Sequence, residues 1–112
     1  MSTPPGTRLW LAQRASAAVL VVCVAVHLAT MITAVRGGLS AGAILSRTRG
    51  SFGWAAFYGL FVVAVSIHAP IGLRTVAAEW LGWRGAAADA ACLAVGIALL
   101  LLGASAVVAV TQ

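Results

Sequence analysis

Charge is what this sequence has least of. Among its 112 residues there are seven arginines, one glutamate and one aspartate, and no lysine. A soluble domain needs about a quarter of its residues charged to cover its surface. Here the charged share is 8% and the hydrophobic share 62%, with a mean hydropathy of +1.07. The solvent for most of the chain is therefore lipid. Cysteine is nearly as scarce. Cys23 and Cys92 each lie inside an apolar run, and no Cys-x-x-Cys pair occurs. This points to small buried apolar residues and away from a disulfide or a thiolate metal cluster. The length allows one domain and leaves no room for a catalytic domain beside membrane spans.

The net charge is +5 and the isoelectric point is near 11.3. In a soluble protein that balance would suggest nucleic acid. Here the arginines are scattered at run ends and in connections, the pattern expected where cations meet lipid headgroups. It is not the basic stripe of a nucleic-acid binder.

Residues 1–7 are polar, carry two prolines and read as a short flexible tail. Three apolar runs follow, over about 9–35, 52–80 and 86–110. A span needs roughly 20 apolar residues, so each run supplies a transmembrane helix. The fold class is all-α, a bundle of three membrane-spanning helices forming one anchor domain over 1–112. A cleaved signal peptide competes for the first run. The run is long for that role, and Cys23 and His27 sit in its middle. Residues 36–51 read as a polar, glycine-rich connection with three arginines. Pro70 removes a backbone donor and should kink the second helix.

With three spans, the N-terminus and the second connection share a membrane side. That side holds Arg8, Arg14, Arg74 and Arg84, and the other holds Arg36, Arg47 and Arg49. Four against three is hardly a bias under the positive-inside rule, and orientation is only weakly determined; the expectation is a cytoplasmic N-terminus. Trp10, Trp80 and Trp83 fall at the first side and Trp54 at the other, as interfacial aromatics do.

Ionisable groups deep in a span are expensive and usually functional. His27 and His68 are both deep. A neutral imidazole can bind haem iron through one nitrogen while the other makes a hydrogen bond. At 100° per residue, Ser16, Cys23, His27 and Thr30 share a face of the first helix, with Gln13 at its border. Trp54, Phe57, Phe61, His68, Gly72, Thr75 and Glu79 share one on the second. Gly72, a turn beyond His68, would let a flat macrocycle lie against the backbone. Two readings are open for each histidine: haem ligand, or a hydrogen bond across the bundle. Two are open for Arg14 and Arg74: haem propionates, or lipid headgroups. Asp89 favours the N-terminal dipole of the third helix.

The run His68-Ala69-Pro70-Ile71-Gly72-Leu73-Arg74, with Glu79 and Trp80 following, resembles the second transmembrane helix of the succinate dehydrogenase and fumarate reductase membrane anchors. Those anchors carry His-x-x-x-Gly, often with Leu/Ile-Arg, and an acidic residue eleven positions after the histidine. The segment Gln13-Arg14-Ala15-Ser16-Ala17 resembles the start of their first helix. The resemblance implies a cytochrome b anchor, with haem b and a quinone as electron partner. It implies a second anchor chain or a copy of this one, and flavoprotein and iron–sulfur subunits docked outside the membrane. By the same match, His68 is an axial ligand of the haem iron, with His27 a second candidate. Arg14, Ser16, Arg74, Glu79 and Trp80 lie near the propionates or the quinone. The usual acidic–aromatic pair is Asp-Tyr, and Trp80 offers only an indole N–H where tyrosine offers a hydroxyl.

The function so implied is electron transfer between an iron–sulfur subunit and membrane quinone, in the inner membrane of a bacterium, without catalysis by this chain itself. The alternatives are a cofactor-free structural or assembly subunit and a small multidrug-type transporter. A transporter of that kind uses a deep carboxylate, whereas Glu79 and Asp89 lie near span ends.

Overall fold

The computed structural model describes residues 5–112, which are helical apart from short connections. Helix α1 spans Pro5–Gly37, α2 Ala41–Thr48, α3 Phe52–Trp80 and α4 Ala86–Thr111. Three of them, α1, α3 and α4, are long and apolar enough to cross a membrane. Even α4, with 26 residues, reaches about 39 Å at 1.5 Å per residue, beyond the ~30 Å hydrocarbon core. Of the expected tail, Pro5 to Thr7 already belong to α1, and residues 1–4 lie outside the described residues. Proline is tolerated in a first helical turn, where its missing N–H would have no partner anyway.

The expected connection over 36–51 contains a helix, α2. Ser40 caps it by accepting from Ala43 N at 3.1 Å, and Ala, Ile, Leu and Arg supply good helix propensity behind the cap. The end of α2 docks on the end of α4. Thr48 Oγ1 donates to the Val110 carbonyl at 2.6 Å, and Gly50 N donates to the Thr111 carbonyl at 2.8 Å. Ser51 caps α3 by accepting from Trp54 N at 3.2 Å. At its other end, Gly82 turns the chain with φ +62°, so that Trp83 N reaches back to the Ala77 carbonyl at 2.9 Å. The turn leads directly into α4.

Helix α3 is the centre of the bundle, packed against α1 on one side and α4 on the other. Among the described residues the buried ones are small: Ser16, Cys23, Ala34, Thr48, Ala64, Ala77, Ala88, Cys92, Gly96 and Thr111. Large aliphatics such as Val21, Leu28 and Leu102 point outward. This ordering suits lipid, where close backbone approach and packing replace hydrophobic collapse as the source of helix association. The α3–α4 seam shows it best. A β-carbon on Gly103 would lie 2.6 Å from Val62 Cγ1, and one on Gly96 would lie 2.9 Å from Pro70 Cγ. Helix α3 continues through Pro70. The Ser66 carbonyl, four residues earlier, thereby loses its helical N–H partner and faces the α4 backbone at Gly96.

Candidate functional site

Both histidines lie in the α1–α3 seam, each half-buried. Their placement follows from the spacing on α1. Ser16, Cys23, His27, Thr30 and Ala34 recur at intervals of three, four or seven and form one stripe, which turns toward α3. On this stripe Ser16 and Cys23 are 5% and 2% exposed.

The first histidine corner joins Ser16 to His68. The Ser16 hydroxyl lies 3.3 Å from His68 Nδ1 and donates to the Gln13 carbonyl at 3.0 Å. Gly72 lies in the same corner, but it faces α1. A β-carbon there would meet Gln13 Nε2 at 3.2 Å. The missing side chain therefore makes room for a glutamine amide, where the sequence suggested room for a macrocycle. Among the described residues, Gln13 Oε1 and Ser66 Oγ are buried without a hydrogen-bond partner.

The second corner joins His27 to Tyr58. His27 Nδ1 lies 3.3 Å from the Tyr58 hydroxyl. The imidazole also meets Tyr58 and Phe61 edge-on, with centroids 5.9 and 5.6 Å away. Trp54 stacks on Tyr58 at 5.6 Å. Beyond this cluster a cavity of about 580 Å³ opens between α1, α2, α3 and α4, lined by His27, Thr30, Tyr58, Val62 and Gly103, with Arg47 among its walls. Its volume is in the range of small-molecule sites.

The two corners sit at different depths. Ser16 and His27 are eleven positions apart on one helix, roughly 16 Å at 1.5 Å per residue. Tyr58 and His68, ten positions apart on α3, give about 15 Å by the same measure. One iron cannot reach imidazole nitrogens so far apart. The donor chemistry nevertheless suits haem at either level. Each imidazole has Nδ1 placed against a hydroxyl, the arrangement that orients a ligating histidine from outside and leaves Nε2 for metal. Among the described residues no group of three or more His, Cys, Asp or Glu side chains converges, so an all-side-chain metal centre of that size is not assembled.

The polar groups near the N-terminal membrane side are spread over α1, α3, α4 and the α3–α4 turn. Arg14 is exposed and its guanidinium lies 5.2 Å from the centroid of Trp10, a cation–π arrangement at the interface. Arg74 Nε donates to Asp89 Oδ1 at 2.7 Å, tying α3 to α4. Asp89 therefore has a side-chain partner in addition to the helix dipole. Arg74, Glu79, Trp83, Arg84 and Asp89 line a surface crevice of about 350 Å³. Trp80 is 82% exposed. The resemblance places Ser16 near a quinone headgroup, but here its hydroxyl is buried against His68. Sequence reasoning passed over Tyr58 and the exact partner of Asp89. The signal for Tyr58 was its being the sole tyrosine, set inside an apolar run.

No curated protein and no solved structure matches the chain at a significant level. The profile of the succinate dehydrogenase/fumarate reductase transmembrane subunit family matches residues 1–110. With nearly the whole chain covered, and three helices able to span a membrane, this protein belongs to the succinate dehydrogenase/fumarate reductase transmembrane subunit family.

Proposed function

We propose that this chain is a haem b-binding anchor subunit that passes electrons between the iron–sulfur subunit of its complex and membrane quinone. The observation that carries the reading is His68, deep in α3, with Nδ1 against the Ser16 hydroxyl of α1. His68 would hold the iron through Nε2, and His27 is a second candidate at its own level. Haem, when bound, supplies a one-electron relay near the quinone. The chain's own residues do the rest. Its helices hold the site in a dry bundle of small side chains. Arg14 and Arg74 offer cationic N–H groups to propionates or quinone at the membrane edge. Glu79, exposed beside the crevice, can take a proton from water and hand it toward a reduced quinone oxygen. Trp80 can donate its indole N–H to a carbonyl but can accept nothing.

On this reading the flavoprotein and iron–sulfur subunits dock on the side of the N-terminus, taken as the cytoplasmic side of a bacterial inner membrane; a slight arginine excess there, four against three, supports it. A second anchor chain, or a copy of this one, completes the haem ligation that one chain cannot. The chain itself catalyses no reaction.

The test is a reduced-minus-oxidised absorption spectrum of the complex purified with wild-type chain and with His68→Ala. The expected result is a b-type band in the wild type that is lost in the variant while the anchor still inserts. An undiminished band in His68→Ala would refute the ligand assignment.

A further inference from the structure

The two hydrogen bonds of Ser16 determine more than its own position. A serine hydroxyl carries one hydrogen and two acceptor lone pairs. That hydrogen goes to the Gln13 carbonyl, three residues back on the same helix, at 3.0 Å. In the longer contact, 3.3 Å to His68 Nδ1, the serine oxygen is then the acceptor. An acceptor facing Nδ1 requires a hydrogen on Nδ1. A neutral imidazole has a single N–H, so Nε2 keeps its lone pair. Ser16 is only 5% exposed, so water competes little for either bond and the surroundings strengthen both.

We infer that Ser16 is a positioning residue for His68: it holds the imidazole as the Nδ1–H tautomer and presents Nε2 as the ligating nitrogen. This deepens the haem reading above and rests on it. It also gives Ser16 a task directed at the ligand. Gln13 and Gly72 support the arrangement. The Gln13 side-chain amide lies over Gly72, one turn beyond His68, so the residue whose carbonyl receives the Ser16 hydrogen also packs on α3. A hydrogen bond from Nδ1–H to oxygen also raises the basicity of Nε2. A more basic ligand favours the oxidised iron and lowers its potential.

The complex is purified in detergent with wild-type chain, Ser16→Ala, Ser16→Thr and His68→Ala. Haem content, midpoint potential and the low-spin electron paramagnetic resonance signal are measured on each. Ser16→Ala is expected to weaken haem retention roughly 10- to 100-fold and to move the potential upward. Ser16→Thr keeps the hydroxyl and is expected to restore both. Full haem and an unmoved potential in Ser16→Ala, with haem lost in His68→Ala, overturn the inference and leave the ligand reading standing. A loss shared equally by Ser16→Ala and Ser16→Thr assigns Ser16 to packing and overturns it too. Haem retained in His68→Ala overturns the ligand reading itself, and the inference with it.

Discussion

Gly96 on α4 lies directly against Pro70 on α3, so close that a β-carbon there would sit 2.9 Å from Pro70 Cγ and 3.2 Å from the Ser66 carbonyl oxygen. Pro70 frees that carbonyl by lacking an N–H, and Gly96 lets the neighbouring backbone close over it. The proline and the glycine are thus two halves of one helix crossing, and Gly103 repeats the approach against Val62. Gly96→Ala and Gly103→Ala are each expected to destabilise the bundle by about 1–3 kcal/mol through overpacking. Unfolding of the purified chain in mixed micelles by a denaturing detergent measures this. Val62→Ala removes both methyl groups that Gly103→Ala would strike, so it should rescue that variant and not Gly96→Ala. Equal rescue of both would sink the local reading.

The contact between His27 and Tyr58 is a testable hydrogen bond inside the membrane. Tyr58→Phe keeps the ring and its stacking on Trp54 but leaves His27 Nδ1 without its hydroxyl partner. Hydrogen bonds between membrane helices are worth on average about 0.6 kcal/mol, and at most about 1.7. A double-mutant cycle with His27→Phe should return a coupling in that range. A coupling of zero would reduce the 3.3 Å contact to ring packing alone.

Arg74 and Asp89 are 52% and 49% exposed, so water screens their ion pair heavily. Its worth is expected to be below about 1 kcal/mol and to fall as salt is added. Asp89 also faces the N-terminus of α4, which favours negative charge by a further ~0.3–1 kcal/mol. Asp89→Asn should therefore destabilise more than Arg74→Gln. Thermal melts at low and high salt decide it: equal losses in the two variants, both shrinking with salt, would show that the pair, and not the helix terminus, is the main partner of Asp89.

Much of this architecture was legible because lipid imposes few solutions. Three apolar runs longer than 20 residues, with only four charged residues inside them, have to be helices, since a span must satisfy its backbone internally. The deep histidines were legible for the same reason: polar groups stand out in an apolar run. Helix α2 was not, because eight residues between arginines and glycines carry a weak signal, and the docking of its far end on α4 through Thr48 is a tertiary contact. Tyr58 escaped notice because at 100° per residue it falls outside the face shared by Trp54, Phe57, Phe61 and His68. Gly72 was read as room for a macrocycle; that Gln13 of α1 lies over it depends on which helix packs there.

By itself, then, the sequence determined that the chain crosses the membrane three times and that each of the first two spans carries one deep imidazole, because composition and 3.6-residue periodicity are local properties. Only the tertiary structure decided what each imidazole faces. Helix α3 lies between α1 and α4 because Gly96 and Gly103 admit α4 on one side, while a stripe from Ser16 to Ala34 admits α1 on the other. That arrangement sets Ser16 against His68 and Tyr58 against His27, and it keeps the two histidines at separate depths. No periodicity in one helix can specify its neighbour's register, since the register is settled by the small residues that let two backbones meet.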